Sequence, residues 1–228
     1  MRASLACYDV ATALGTPFIS GKDSLNNEFS YEDDQGTKQT ISIPPTLLIS
    51  ALGQVADVST CVTMDLKASG NMLYQIGETK EELGGSHFAL VQGLSGGQVP
   101  TVDTEVAGRI FHTLHAAISQ RLVRACHDLS EGGLAVALAE MAFAGEFGVD
   151  ISLDGNPVVQ LFSESNSRFV CEVAADQQQA FEQLFTEAQV PYQRLGNVTE
   201  TRRVVVGGLL DAPIDQLKQA WQQPLGWK

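Results

Sequence analysis

Along the first fourteen residues, apolar side chains recur at Leu5, Val10, Ala13 and Leu14, the spacing of one face of a helix. Gly15 stands where a left-handed residue closes such a helix, and Pro17 bars its continuation. Residues 17–20 then predict a short strand running into the polar loop 21–28. Residues 31–39 read as a solvated stretch, and residues 46–53 have the unbroken apolar character of a buried strand. Beyond residue 69 the pattern becomes regular. Strands are predicted over 72–76, 88–91, 123–126, 149–153, 169–173, 193–198 and 204–206. Helices are predicted over 103–121, 132–144, 176–188 and 214–221. The first of these carries Ala107, Ile110, Phe111, Leu114, Ala117 and Ile118 on one face, with Asp103 or Thr104 as its N-cap.

Helices alternating with strands imply a layered α/β or α+β domain containing a mixed sheet packed with helices. The opening portion does not fit that pattern. One helix and a few strands in about 55 residues cannot enclose a core, so this portion is either a decorated edge or the tail of a domain that starts earlier. The cleanest boundary lies in the polar stretch 58–69.

Composition narrows the class. Of 228 residues 44% are hydrophobic and 18% charged, the balance of a soluble globular chain, and no apolar run reaches the ~20 residues of a membrane span. Tyr8 and Asp9 interrupt the apolar positions at the start, so a signal peptide is not expected. A net charge of −13 repels nucleic acid and anionic lipid, so neither is an expected partner. Cys7, Cys61, Cys126 and Cys171 are far apart with no metal-ligand spacing, and read as reduced thiols of a cytoplasmic protein.

Three loops carry residues suited to chemistry. In Gly21-Lys22-Asp23-Ser24-Leu25-Asn26-Asn27-Glu28, the oxygens of Asp23, Asn27 and Glu28 suit Mg²⁺, and Lys22 supplies a point charge for a phosphate. Turn geometry alone also collects such residues. In His127-Asp128-Leu129-Ser130-Glu131-Gly132-Gly133-Leu134, a strand stops and a helix begins. Its exposed N–H groups and dipole suit an anion, Gly132 and Gly133 let a phosphate approach the backbone, Ser130 donates a hydrogen bond and Asp128 holds a metal. The competing reading makes Ser130 a helix cap, with His127 a packing or orienting residue. The third loop, Ser163-Glu164-Ser165-Asn166-Ser167-Arg168, places small polar groups at the start of an apolar strand. It suits a sugar or phosphate, or else only a structural Glu164–Arg168 pair.

Together and in order, these three motifs resemble the second half of phosphoribosylformylglycinamidine synthases, and the resemblance runs over almost the whole chain. The Asp-x-Ser-x-Gly-Gly-Leu loop alone is shared with the wider superfamily of aminoimidazole ribonucleotide synthase; Gly-Lys-Asp-Ser-Leu-Asn-Asn-Glu narrows it. The resemblance implies two tandem copies of a nucleotide-binding unit, each a ferredoxin-like N-terminal half followed by an α/β half. Residues 1–58 would be the tail of the second N-terminal half and residues 59–228 the second C-terminal half. The first copy, the rest of the second N-terminal half and a glutaminase subunit or domain would then be partners.

The resemblance further implies that Asp128 is a magnesium ligand and Ser130 a contact to ATP or ADP, at an auxiliary site that holds its nucleotide. Glu164, Ser165 and Asn166, with Arg168 beside them, stand where the first copy contacts formylglycinamide ribonucleotide. Asp23, Asn27 and Glu28 stand where it carries a metal-binding acid. The implied reaction is ATP-dependent conversion of that amide to an amidine with ammonia drawn from glutamine. Two alternatives remain: another ligase of the superfamily, such as aminoimidazole ribonucleotide synthase, and a nucleotide-binding module with no activity of its own.

Overall fold

A computed structural model of the chain describes residues 1–22 and 27–225. It divides into two compact units, Met1–Ala56 and Asp57–Lys228.

In the first unit, α1 (Arg2–Leu14) ends at Gly15, whose φ of 67° is the left-handed closure expected from its position. An antiparallel hairpin follows, β1 (Glu28–Glu32) with β2 (Lys38–Ser42). Its turn is held by the Asp33 carboxylate, which accepts the N–H groups of Gln35 and Thr37 at 3.0 and 2.9 Å. The hairpin occupies much of the stretch expected to be merely solvated. The signal was the alternation Glu28-Phe29-Ser30-Tyr31-Glu32, which places Phe29 and Tyr31 on one face with ring centroids 5.8 Å apart. The strands expected at 17–20 and 46–53 are not formed. A strand exists through hydrogen bonds to a neighbour, and these segments have none among the described residues of the unit. Ile19, Leu48 and Leu52 are accordingly at least 90% exposed.

The second unit is built on a seven-stranded mixed sheet. Its strands are β3 (Met72–Ile76), β4 (Ala125–Asp128), β5 (Gly148–Ile151), β6 (Phe169–Val173), β7 (Tyr192–Thr199), β8 (Arg203–Val206) and β9 (Leu210–Pro213). They lie in the order β4-β6-β3-β7-β5-β8-β9, antiparallel except for the parallel pair β5–β8. Side-chain alternation sends β3 and β6 into two cores. Leu73 and Val170 face α4 (Gly133–Gly145) and α7 (Ile214–Gln222), meeting Leu134, Leu138, Met141 and Ile214. Tyr74, Ile76, Cys171 and Val173 face α3 (Thr104–Ser119) and α6 (Gln178–Glu187), meeting Ile110, Leu114, Phe181 and Phe185. Each fully buried Phe contributes about 1.5–3 kcal/mol by leaving water. With helices on both faces the inner strands β3 and β6 are covered on both, which is why Met72–Ile76 and Phe169–Val173 read as nearly unbroken apolar runs.

Asp103 caps α3, its carboxylate accepting the N–H groups of Glu105 and Val106. One expectation fails here: residues 88–91 form not a strand but the single-turn α2 (His87–Val91). Ser86 Oγ accepts the Ala89 N–H at 3.1 Å, and Ala89 alone of the turn is buried. A four-residue apolar run fits helix and strand equally, so the cap decides. A further short helix, α5 (Pro157–Phe162), begins with Pro at N1 behind the Asn156 cap. It packs on α4, ahead of the third polar loop. Neither α5 nor β9 was anticipated. Among the described residues, no helix is long and apolar enough to cross a membrane.

Candidate functional site

The junction between β4 and α4 is the centre of the polar architecture. The Leu129 N–H donates to Arg168 O at 3.0 Å, and the buried Leu129 side chain anchors the turn in the core. The chain then rises through Ser130 and Glu131 to Gly132 and Gly133, whose φ values are 79° and 62°. A Cβ on Gly133 would lie 2.5 Å from Ser163 O and 2.9 Å from Leu161 O, so the end of α5 crosses the helix start too closely for any side chain. The Gly132 N–H donates to Glu164 Oε1 at 2.8 Å. The two glycines thus serve the packing of the third loop against α4, and a protein carboxylate already occupies the donor that the sequence offered to a phosphate. Ser130 does not cap α4 either. Gly132 holds the N-cap position and supplies no side-chain cap of its own.

Ser130 instead donates through Oγ to Asp128 Oδ2 at 2.5 Å. Both residues are exposed at the end of β4. The Ser130 hydroxyl is the main reason the Asp128 carboxyl is held below its ordinary value, with the adjacent His127 helping and partial burial opposing. Asp128 is therefore a carboxylate facing solvent in a defined orientation. On its other side Oδ1 lies 3.3 Å from His127 Nδ1, while His127 Nε2 lies 2.8 Å from Glu140 Oε2 on α4. The orienting role expected of His127 agrees with these contacts.

The third loop turns inward. Glu164 Oε1 also accepts the His87 N–H at 2.9 Å, so one carboxylate ties α2 to the start of α4. Ser165 is buried, and its Oγ accepts the Lys80 N–H at 3.0 Å. Arg168 is 1% exposed. It donates to Ser165 O at 2.9 Å, Thr79 Oγ1 at 2.9 Å and Ser163 O at 2.5 Å. Burial lowers its pKa to about 10 against the opposing charges of Glu82 and Glu164, so at neutral pH it remains a guanidinium. Arg168 braces its own loop rather than facing a ligand, and the expected Glu164–Arg168 pair is replaced by Glu164–Gly132. Of the four residues assigned to substrate, Asn166 alone is exposed.

Of the first loop, Asp23 lies outside the described residues. Lys22 is exposed in the first unit. Asn27 accepts the Ile43 N–H through its backbone carbonyl, and Glu28 accepts Ser42 Oγ at 3.0 Å within the hairpin. Among the described residues, no three His, Cys, Asp or Glu side chains gather as a metal cluster.

Sequence reasoning passed over Glu140, Ser163, Glu82 and Gln75. Glu140 carried a signal, being an acid inside the apolar run Ala137-Leu138-Ala139-Glu140-Met141-Ala142. Glu82 and Gln75 carried none. They are 3% exposed, and each leaves one buried side-chain oxygen without a protein partner.

A mixed sheet covered by helices on both faces, with an exposed Asp–Ser pair where an edge strand passes into a glycine-opened helix, defines an α/β domain with a polar strand-to-helix junction open to solvent. The chain belongs to the family described as AIR synthase related protein, C-terminal domain, whose model matches residues 68–208. Among solved structures, it is similar to Thermotoga maritima PurL complexed with FGAR (TM-score 0.67, 16% identity, 92% of this chain and 36% of that one). It is also similar to phosphoribosylformylglycinamidine synthase II of Thermotoga maritima (TM-score 0.63, 14% identity, 92% and 34%). A third is Thermotoga maritima PurL complexed with ATP (TM-score 0.58, 16% identity, 79% and 28%). At these identities the likeness is one of fold, and the chain spans about a third of the length of these relatives.

Proposed function

We propose that this chain is part of a phosphoribosylformylglycinamidine synthase and that its Asp128–Ser130 loop holds a magnesium-bound adenine nucleotide in a retained, structural role. The observation that carries this reading is the exposed, ionised Asp128 carboxylate held by Ser130 beside the start of α4. Its support is the family membership, together with a fold shared with proteins solved with ATP, ADP and FGAR. In the same reading, residues 1–58 belong to the end of a ferredoxin-like half and residues 59–228 to the α/β half.

The residues present fit Mg²⁺ and not a transition metal. A carboxylate with no second His beside it, and whose one neighbouring imidazole, His127, is engaged by Glu140, suits a hard cation whose remaining ligands are water and phosphate oxygens. Asp128 would hold the ion and Ser130 would face a phosphate. Lys22, Asp23, Asn27 and Glu28 remain candidates for phosphate and metal contacts of their own, and Asn166 for a substrate contact. When bound, magnesium neutralises phosphate charge. The work of this chain is to present Asp128 in one orientation and to close the loop 163–168 around Arg168. The intact enzyme would use ATP to phosphorylate the amide oxygen of formylglycinamide ribonucleotide, and ammonia from a glutaminase subunit or domain would displace the phosphate. Oriented donors stabilise such transferring charge.

The test is a pair of melting curves, with and without saturating Mg-ADP, for the wild type and Asp128→Asn. Ligand at a hundred times its Kd stabilises by about 2.7 kcal/mol. The wild type should gain this, and the variant, with packing intact but a charged ligand gone, should lose most of it. Ser130→Ala should lose less. An unchanged ligand-induced shift in Asp128→Asn would reduce Asp128 to a strand-end residue.

A further inference from the structure

Glu140, half-buried, lies about two helix turns into α4, a helix whose buried side chains are all apolar. Its two carboxylate oxygens are divided between two partners. Oε1 accepts Trp221 Nε1–H from α7 at 2.8 Å, and Oε2 meets His127 Nε2 at 2.8 Å. A carboxylate only accepts, so the proton of that second bond sits on Nε2 and the imidazole ring is pinned by it. The opposite edge of the ring, at Nδ1, stands 3.3 Å from Asp128 Oδ1, to which it donates when the ring carries both protons, and Ser130 closes on Oδ2. A continuous chain therefore runs Trp221–Glu140–His127–Asp128–Ser130 across α7, α4, β4 and the loop that follows. Phe143, with its ring centroid 5.7 Å from that of Trp221, fixes the far end.

We propose that Glu140 is a positioning residue that acts through His127 to set the Asp128 carboxylate, with Trp221 of the C-terminal helix as the outer end of the same chain. An exposed Asp samples several rotamers, and a cation or phosphate that needs one of them loses affinity to ordering. Glu140 and His127 remove that loss in advance, as the outer partners of metal ligands do. The inference rests on the proposed nucleotide role of Asp128, and it goes beyond that role in naming what prepares the residue.

The experiment is calorimetric titration of Mg-ADP into the wild type, Glu140→Ala, Glu140→Gln, Asp128→Asn and the double variant Asp128→Asn/Glu140→Ala. Melting temperatures are measured without nucleotide. Glu140→Ala should bind roughly ten-fold more weakly. Glu140→Gln keeps one acceptor oxygen, so it should recover part of that loss. The double variant should bind no more weakly than Asp128→Asn alone, because Glu140 acts through Asp128. In a Trp227→Phe background, Trp221 emission should shift on nucleotide addition, and that shift should vanish in Glu140→Ala. Binding that depends on Asp128 but is indifferent to Glu140, or losses that add in the double variant, overturns the positioning role alone. A wild type that does not bind Mg-ADP overturns the proposed function and this inference with it.

Discussion

Glu164 Oε1 accepts the backbone N–H of Gly132 at 2.8 Å, so the start of α4 is capped by a side chain from 32 residues further along the chain. The same oxygen accepts His87 N–H. A local cap gives way here to a tertiary one, and the residue that looked like a substrate contact becomes the clamp between two helices.

Glu164→Ala should therefore destabilise the second unit by about 1.5–3 kcal/mol, the worth of hydrogen bonds to a charged group. Glu164→Gln, which keeps an acceptor oxygen, should cost less. Urea denaturation midpoints at constant slope check the order, and equal losses for the two variants would argue against a charged cap.

The two glycines of α4 should differ. Gly133→Ala drives a methyl into the backbone carbonyls of Ser163 and Leu161, which cannot move without the third loop. Gly132→Ala meets Val136 Cγ2 at 2.3 Å, but that side chain is 37% exposed and has room to turn. Both carry the strain of positive φ, roughly 1–2 kcal/mol. Gly133→Ala should cost the larger amount, by at least about 1 kcal/mol, measured by chemical denaturation.

Arg168→Lys should behave as a loss rather than a conservative change. A lysine ammonium cannot reproduce the fork that reaches Thr79, Ser163 and Ser165 together. The expected cost is about 2–4 kcal/mol, with a buried charge left partly unsatisfied. A variant as stable as the wild type, with altered ligand binding only, would return Arg168 to the ligand side.

Acid should weaken the fold through two carboxyls. Burial pushes Glu82 up, but the nearby Ser165 hydroxyl and the hydrogen bonds from Thr101 outweigh it and hold the carboxyl below its ordinary 4.5. Asp128 is held below 3.8, chiefly by Ser130. Depressed carboxyls stabilise the fold above their unfolded values, and that stability is lost as pH falls through the folded ones. The urea midpoint should accordingly be flat between about pH 7 and pH 5 and fall below about pH 4.5. In Glu82→Gln the midpoint should be lower at pH 7 and the acid slope shallower; an unchanged slope would remove Glu82 from the account.

The first unit has no buried residue among those described. Its backbone amides should exchange with solvent orders of magnitude faster than those of β3 and β6, which lie in the middle of the large sheet with both faces covered. Hydrogen exchange resolved by peptide reads this directly. Equal protection from Ala3 to Gly53 would mean that an unseen partner surface covers the unit.

Local patterning was enough for the elements that satisfy themselves. The helix Arg2–Leu14 and its Gly15 closure, the Asp103 cap of α3 and the strand Phe169–Val173 follow from spacing and capping, which act within a few residues. The strand Met72–Ile76 was legible for the same reason. Residues 46–53 and 88–91 were not, because an apolar run becomes a strand only when a neighbour offers hydrogen bonds, and that is decided far away in sequence. The polar loops divide in the same way. Asp128 and Ser130 stayed an exposed pair, as their place at a strand end suggested. Glu164, Ser165 and Arg168 were drawn inside by Gly132, Lys80 and Thr79, contacts that span 32, 85 and 89 residues. Residue type told which side chains could bind an anion or a metal. Only tertiary structure decided which were left facing water to do so, because a buried polar group must spend its hydrogen bonds on the protein itself.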